Sequence, residues 1–207
     1  MEKLVFILFL TFTTLGCKKS IEVVEIKNAT GQIVEKYERR VADNMRQGKY
    51  ESFDENGNLM ESAFFQNDTL HGKRTIYFEN GNPQYIEQYV NGQFDDAYSA
   101  FYQSGQLKLE GKYSNGAMNG EWKGYHENGQ LKELVLFSNN EENGPFVEYH
   151  PNGKLAAEGT YLNGDNEHGE LKLYDENGEL YRTMNCDKGL CRTSWLREDY
   201  KEKNDDE

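Results

Sequence analysis

The sequence predicts an all-β protein, an elongated, single-layer twisted sheet built as a meander of consecutive antiparallel β-hairpins. The first observation is an internal repeat, because a Gly in a constant local context recurs at spacings of 24, 24, 24, 24 and 25 residues, as in repeat arrays. These anchor glycines are Gly57, Gly81, Gly105, Gly129, Gly153 and Gly178. The second is composition: 14 Tyr, 11 Phe and 20 Gly against 3 Pro favour short strands joined by Gly-containing turns.

Each copy carries the same residues around its anchor glycine, from which positions are counted here. Position −4 is aromatic in all six copies: Phe53, Tyr77, Phe101, Tyr125, Tyr149 and Tyr174. Position +8 is aromatic in five: Phe65, Tyr89, Tyr113, Phe137 and Tyr161. Asn precedes the anchor in five of six copies. Asn-Gly between β-type runs is a strong hairpin signal, because Gly adopts a positive φ without steric cost.

The spacing of the aromatic residues also predicts the type of turn. A three-residue loop with Gly in a left-handed bulge places position −4 opposite position +2, which is Leu in five copies, and puts +8 on the same face. We therefore expect this loop, and one face that carries a stripe of aromatic, Leu and aromatic residues. The aromatic residues at position −7, such as Tyr98 and Trp122, have the other parity. A bulge between −7 and −4, or a partly apolar second face, would explain them.

The start of the chain reads as an export signal. Residues 1–17 have a charged start, an apolar core from Leu4 and a small residue before Cys17, a segment too short to span a bilayer. Its end, Thr14-Leu15-Gly16-Cys17, resembles the lipobox of bacterial lipoproteins. The resemblance implies that Cys17 is lipidated and anchors the chain to a membrane, with Lys18 favouring the outer membrane. The alternatives are an ordinary cleaved signal and a free buried Cys.

Three further segments follow the signal. Residues 18–48 form a tether and a degenerate N-terminal capping repeat around Gly31, because terminal copies of repeat arrays are often atypical. Residues 49–191 form the hairpin array, and residues 192–207 form a charged C-terminal tail.

Cys186 and Cys191 bracket a Gly-containing turn near the end of the array. In an exported protein this spacing favours a disulfide that joins the last strand pair. A redox pair or a pair of metal ligands is the alternative, although no companion Cys or His set has metal-site spacing.

We find no sequence motif for catalysis, for a cofactor or for a metal ion. The expectation is therefore a non-enzymatic protein without cofactor or metal. His126 and His150 both stand at position −3 and are predicted to be solvent-facing strand residues. The formal charge of −13 argues against nucleic acid as a partner, because such binding depends on Lys and Arg at the phosphate backbone.

The segment E-G-K-Y-S-N-G-A-M-N-G-E-W, which starts at Glu110, resembles MORN repeats, as does the later His168-Gly169. The Tyr-x-x-Asn-Gly-x-Leu half is similar to the bacterial MORN variant, to which a YwqK-type antitoxin name is often attached. The resemblance covers about Lys49 to Leu190. It implies consecutive β-hairpins that serve as scaffolds, membrane-associated platforms or appendages of enzymes. The turns at Gln93–Asp96 and Asn139–Asn143 depart from the pattern, so we expect them to be irregular.

The functional expectation is a lipid-anchored envelope protein that acts as a repeat scaffold for protein or glycan binding. The aromatic residues at −4 and +8 form the candidate binding ladder, which could accept an extended peptide, a glycan or a partner sheet. They could equally be only the core of the sheet. An antitoxin-like or immunity-like protein that sequesters an effector is the alternative. An enzyme acting on envelope glycans would need a carboxylate pair in a cleft.

Overall fold

A computed structural model describes residues 20–201 of the protein. The predicted signal with Cys17, and residues 202–207 of the predicted tail, lie outside this range. The described chain contains seventeen β-strands and one four-residue helix, α1 (Glu198–Lys201). The strands are β1 (Ile21–Lys27), β2 (Ile33–Arg40), β3 (Arg46–Phe53), β4 (Leu59–Gln66), β5 (Thr69–Leu70), β6 (Gly72–Tyr77), β7 (Pro83–Val90), β8 (Gln93–Phe94), β9 (Asp96–Phe101), β10 (Leu107–Ser114), β11 (Ala117–Tyr125), β12 (Leu131–Ser138), β13 (Glu141–Tyr149), β14 (Leu155–Tyr161), β15 (Gly169–Tyr174), β16 (Leu180–Asp187) and β17 (Leu190–Leu196).

All the strands belong to one open antiparallel sheet, in which neighbours in space are neighbours in the chain. The two-residue strands β5 and β8 pair with β4 and β7, in line with β6 and β9. The sheet is therefore fifteen strands wide, with β1 and β17 at its edges. At about 4.8 Å per strand it is about 70 Å long. The predicted all-β meander is confirmed, and β17 includes the first five residues of the segment expected to be a tail.

At one end of the strands, every anchor glycine closes the predicted three-residue loop. Its N–H donates to the carbonyl three residues earlier, as from Gly57 to Asp54 at 3.1 Å. The φ angles of the six anchors lie between 75° and 90°, a left-handed conformation that Gly adopts without steric cost. Position −4 pairs with +2 in all six copies, from Phe53 with Leu59 to Tyr174 with Leu180. The predicted loop and its register are therefore confirmed.

At the other end of the strands there are two-residue turns in which both central residues have positive φ. This is the type I′ geometry, which matches the twist of the strands. These turns are Asn67-Asp68, Asn91-Gly92, Asn115-Gly116, Asn139-Asn140 and Lys188-Gly189. The turn itself, which was expected to be irregular, is therefore regular at Asn139-Asn140, and the irregularity begins at Asn143, where the register shifts between Glu142 and Phe146. The longer connection is residues 162–166 between β14 and β15, where Tyr161 forms an isolated bridge with Glu167. Near Gln93–Asp96 the strand is interrupted at Asp95, and Asp96 has a φ of 72°.

One extra residue after each loop decides which side chains share a face. Ser52 pairs with Glu61 but Phe53 pairs with Leu59, so Met60 has no partner. Directly paired residues share a face, whereas residues three apart on a strand face opposite ways. Positions −7, +6 and +8 therefore lie on one face and position −4 lies on the other. The prediction that −4 and +8 form one stripe is wrong. It assumed that side chains alternate between the faces without interruption along the second strand of each hairpin, whereas that strand contains one unpaired residue.

The face with positions −9, −7, −5, +4, +6 and +8 is called the aromatic face here, and the other the polar face. Among residues 20–201, all the buried apolar side chains lie on the aromatic face: Ala63, Tyr89, Ala100, Trp122, Val135, Phe146, Ala157, Leu171 and Cys186. Within the described residues, contacts between elements follow the strand order and no second sheet packs on this one. The core is therefore a layer of side chains on one side of a single sheet.

Candidate binding surface

The centre of the aromatic face is a continuous cluster of six rings from six consecutive strands. Its members are Tyr89, Phe94, Tyr98, Tyr113, Trp122 and Phe137. Phe94 stacks on Tyr113 with centroids 4.8 Å apart, and Tyr113 meets Trp122 edge to face at 5.2 Å. These are the arrangements that aromatic rings prefer. Four of the rings are half-buried, so the cluster presents apolar ring surface to solvent as well as holding the sheet together.

Trp122 is the most deeply placed ring, with only 2% of the residue exposed. Its indole lies flat on β10, where Gly111 leaves room: a Cβ at Gly111 would overlap Cδ2, Cε2 and Cε3 of the indole. Among the described residues, the buried Nε1 of Trp122 has no hydrogen-bond acceptor. The rings that pack against the indole are those of Tyr98, Tyr113 and Phe137.

A second apolar cluster follows towards the C-terminal edge. Phe146 and Tyr161 stack with centroids 4.1 Å apart and an interplanar angle of 18°. The cluster continues through Leu171 to Cys186, which forms a disulfide with Cys191. The bond joins β16 to β17 at directly paired positions.

In the second copy, Arg74 takes the place of the aromatic residue at −7. Its Nε donates to Glu61 at 2.7 Å and its Nη1 to Glu87 at 3.0 Å. Tyr89 also donates to Glu87, at 3.1 Å. Burial alone would lower the pKa of Arg74, but the two carboxylates more than offset this and raise it. The aromatic face thus holds a guanidinium between two carboxylates.

A second group of carboxylates lies beside Tyr161. Glu133 and Glu148 are direct partners across β12 and β13. Burial, followed by the charge of Glu133, raises the pKa of Glu148. Burial also raises the pKa of Tyr161, and the charges of Glu148, Glu142, Glu167 and Glu133 add to this effect. This part of the aromatic face therefore carries a concentration of negative charge.

The polar face carries the −4 members of the predicted ladder, which are Phe53, Tyr77, Phe101, Tyr125, Tyr149 and Tyr174. Several of their hydroxyls reach side chains at +5 of the preceding copy. Tyr125 donates to Glu110 at 2.6 Å and Tyr174 to Glu158 at 2.8 Å. The hydrogen bond to Glu110, assisted by burial, raises the pKa of Tyr125 to about 12. The +8 members, which are Phe65, Tyr89, Tyr113, Phe137 and Tyr161, lie on the aromatic face, so the predicted ladder is divided between two faces.

With this geometry described, comparison with known proteins identifies the repeat. The MORN repeat variant matches five segments of the chain: residues 46–67, 70–91, 118–139, 142–163 and 167–185. The chain belongs to this family. Residues 92–117 lie between matched segments, but there too Phe101 pairs with Leu107 in the register of the other copies. The protein is therefore a MORN-type repeat scaffold.

No curated protein matches the chain. Chains of solved structures do match, among them one in the Tc holotoxin pore of Photorhabdus luminescens, with 10% identity and a TM-score of 0.24, and one in the TcdB2-TccC3-Cdc42 complex, with 11% identity and a TM-score of 0.25. The matches cover 86% and 84% of this chain, but 11% of the matched chain in each structure. The chain spans about a tenth of their length, and at such TM-scores the likeness carries no conclusion. The described residues include no helix with the length and hydrophobicity needed to cross a bilayer.

The MORN copies are linked through their three-residue loops in a way that the sequence did not indicate. Nε2 of His126 lies 2.7 Å from the carbonyl oxygen of Tyr149, in the next copy, and His150 makes the equivalent contact with Tyr174 at 2.9 Å. Asn128, just before its anchor, donates to the carbonyl of Pro151 at 2.7 Å. The expectation that these histidines are solvent-facing strand residues is therefore wrong.

The ring positions at −7, including Tyr98, Trp122 and Phe146, were missing from the predicted ladder. A signal for them exists in the sequence, since Gly111 and Gly159 stand at +6, where a Cβ would overlap the ring of Trp122 or Phe146. Within the described residues, no group of three or more His, Cys, Asp or Glu side chains is arranged to hold a metal ion.

Proposed function

We propose that this MORN-repeat protein is a non-enzymatic scaffold that binds an extended protein or glycan partner along its aromatic face. The observation that carries the proposal is the cluster of six rings over β7 to β12, on a face that no second sheet of the described chain covers. Large, partly exposed aromatic side chains with polar groups nearby are typical of binding surfaces. The half-buried rings of Phe94, Tyr98 and Tyr113 form the accessible part.

The polar face is the less favourable surface. Several of its tyrosine hydroxyls are already hydrogen-bonded to side chains of the same chain, as in Tyr125 with Glu110 and Tyr174 with Glu158. Charges there are paired internally as well, for example Lys172 with Glu158 at 3.1 Å. A partner on the polar face would have to replace these contacts.

Site-specific photo-crosslinking in cells tests the binding surface. A benzoylphenylalanine replaces Phe94 on the aromatic face or, as the matched control, Phe64 on the polar face, which is 50% exposed. The proposal expects crosslinked products from position 94 and far fewer from position 64. Equal crosslinking from both positions, or crosslinking from position 64 alone, would show that the aromatic face is not the binding surface.

We further propose that the scaffold is held in the bacterial cell envelope, at the outer membrane, by a lipid on Cys17. The proposal rests on the sequence of residues 1–17. Intact-mass measurement of membrane and soluble fractions tests it, with Cys17→Ala as the comparison. A mature chain that starts at Cys17 with added acyl mass, absent in the variant, supports the anchor. A soluble chain that retains Met1 contradicts it.

The second candidate is an immunity-like protein that sequesters a cationic effector, which the formal charge of −13 favours. Co-expression with a basic toxin encoded beside this chain would distinguish the two candidates. Rescue of growth by the wild-type chain supports the immunity role, and unchanged toxicity removes it.

A further inference from the structure

Five of the six three-residue loops carry Asn-Gly at the anchor, a dipeptide that loses its side-chain amide readily, because no Cβ on the Gly hinders attack by its main-chain nitrogen. The asparagines are Asn56, Asn80, Asn128, Asn152 and Asn177, all of them exposed. In each loop the N–H of the anchor is hydrogen-bonded at 2.7–3.1 Å. Neither exposure nor the attacking nitrogen therefore distinguishes these loops. The Asn-Gly pairs of the two-residue turns have Asn at positive φ and form a separate class.

The side-chain amide is held in three of these loops. Nδ2 of Asn80 donates to the carbonyl of Gln103, in the next copy, at 2.8 Å, and Oδ1 of Asn80 accepts the N–H of Asn82 at 3.0 Å. Asn128 and Asn152 make the equivalent pairs of hydrogen bonds. An amide that is held at both polar atoms must lose hydrogen bonds before its carbon can turn towards the nitrogen of the Gly.

In the first and last regular copies, an aspartate takes over part of this role. Position −3 is Asp54 in the first copy, and its Oδ1 accepts the N–H groups of Asn56 and Asn58, both at 2.8 Å. This short-range bonding is typical of Asp in turns. Asp175 binds the equivalent N–H groups of the last copy at 2.9 and 3.0 Å. In the described part of the chain, the side-chain amides of Asn56 and Asn177 make no hydrogen bond.

Two of the loops differ in this contact although their local sequence is the same. Residues 55–58 and 79–82 both read Glu-Asn-Gly-Asn, so the intrinsic reactivity of their asparagines is equal. The main chain is also alike, because the anchor glycines have φ angles of 85° and 83°. Position −3 is Asp54 in the first loop and Phe78 in the second. Of the two, the second loop has its amide held by the next copy.

We propose that, among the three-residue loops, Asn56 and Asn177 are sites of spontaneous deamidation, whereas Asn80, Asn128 and Asn152 are protected by contacts between copies. The nitrogen of the following Gly bonds to Cγ of the Asn and loses its proton, and ammonia leaves, which gives a five-membered succinimide ring. Water then opens the ring at either carbonyl, which gives Asp or isoaspartate. Each event replaces a neutral amide by a carboxylate, and isoaspartate also lengthens the main chain of the loop by one carbon atom.

The consequence differs between the ends and the interior of the array. In the protected loops the amide links two copies, so its loss would break a contact between them, as from Asn128 to Pro151. At Asn56 and Asn177 no such contact is lost, and the change is confined to the charge and the loop itself. The array therefore alters with age at its end copies, while the contacts between its inner copies persist.

Peptide mapping by mass spectrometry tests this on the full mature chain, incubated in mildly alkaline buffer at physiological temperature. Fragmentation assigns each deamidated site, and chromatography separates the Asp and isoaspartate products. In the folded chain Asn56 should deamidate about fivefold faster than Asn80, the factor expected when one hydrogen bond must first be broken. In urea, where the loops are unfolded, the two rates should be equal because the local sequences are the same.

The test variant is Phe78→Asp, which gives the second loop the sequence of the first from position −3 onwards. It should raise the rate at Asn80 to that at Asn56 and leave the rate at Asn128 unchanged. The reciprocal variant Asp54→Phe should slow the reaction at Asn56. Equal rates at Asn56 and Asn80 in the folded wild type would overturn the proposal. So would an unchanged rate at Asn80 in folded Phe78→Asp, or a difference between the two sites that persists in urea.

A second pair of sites keeps the test independent of the variants. Each rate in the folded wild type is divided by the rate of the same site in urea, which removes the effect of local sequence. On this scale Asn177 should react faster than Asn152. The reverse order would overturn the proposal even where a lower melting temperature shows that Phe78→Asp has damaged the fold.

Discussion

Replacement of Gly111 by Ala tests whether contact between a ring and the backbone holds the core of this sheet together. The new Cβ would lie 2.7 Å from Cε3 of Trp122 and closer still to Cδ2 and Cε2. Real Cβ atoms do not approach other carbons so closely, so either the indole or β10 must move. Gly111 is not among the glycines with positive φ, so the backbone itself accepts Ala.

The magnitude follows from how little Trp122 can yield. The residue is 2% exposed, and its ring meets those of Tyr98, Tyr113 and Phe137 at 5.6, 5.2 and 5.9 Å. Overpacking of a well-filled core costs about 1–3 kcal/mol, and we expect the upper end, about 3 kcal/mol. Local propensity alone predicts the opposite sign, since Ala in place of Gly within a strand gains about 0.5–1 kcal/mol.

Urea unfolding followed by circular dichroism measures the change, with Gly124→Ala as the matched control. A Cβ at Gly124 would meet Oε1, Cγ and Cδ of Glu133 at 2.5, 2.9 and 3.1 Å, so the flexible side chain of Glu133 must change its rotamer, which costs about 0.5–1.5 kcal/mol. The control should therefore lose clearly less stability than Gly111→Ala, because no aromatic ring has to move. In a Trp122→Ala background, which itself costs about 3–5 kcal/mol, Gly111→Ala should add almost nothing. Equal unfolding midpoints for Gly111→Ala and Gly124→Ala would refute this account of the core.

Three further predictions concern the turns, the polar face and the C-terminal edge. Asp96 stands with a φ of 72° where the other regular copies have Gly, so Asp96→Gly should stabilise the protein by about 1 kcal/mol in the same urea assay. The folded-state pKa of Tyr125, about 12, lies above the value of about 10 expected in the unfolded chain. Its stabilising contribution is therefore complete below about pH 10 and lost as the pH rises towards about 12. Tyr125→Phe should flatten the fall in melting temperature over that window, and an unchanged profile would contradict the hydrogen bond to Glu110. Reduction of the Cys186–Cys191 disulfide, which closes a short loop, should cost about 2 kcal/mol, measured as a lower urea midpoint in dithiothreitol. The double Ser variant should show no response to the reductant.

The local order of this protein follows from the sequence because it depends on residues close together in the chain. Asn-Gly pairs and the constant spacing of aromatic residues are sufficient to predict the three-residue loops, and the pairing of Phe53 with Leu59 was correct. The prediction of faces failed at the next step. One unpaired residue, such as Met60, reverses the alternation of all the residues that follow, and composition does not mark such a bulge.

The candidate surface was predictable only in part for the same reason. The +8 rings were identified, but the −7 rings that complete the surface, above all Trp122, were left without an account. Gly111 and Gly159 at +6 indicate the positions of these rings, because a ring from a neighbouring strand lies directly on each of them. This relation between glycine and ring can be recognised only when the pairing of the strands is known. The role of His126 likewise depends on a carbonyl in the next copy, 23 residues away.

The sequence by itself determined the fold class, the number of regular copies and the loop that closes each hairpin. These depend on the φ preferences of single residues and on a residue pattern that is complete within each copy and recurs along the chain. Only the tertiary structure decided the two faces, the ring cluster around Trp122, and the contrast between the neutralised Glu61 and the opposed Glu133 and Glu148. These features arise between strands that are brought together by pairing. Charge balance and ring packing depend on distances across the sheet, whereas the sequence specifies directly only the order along the chain.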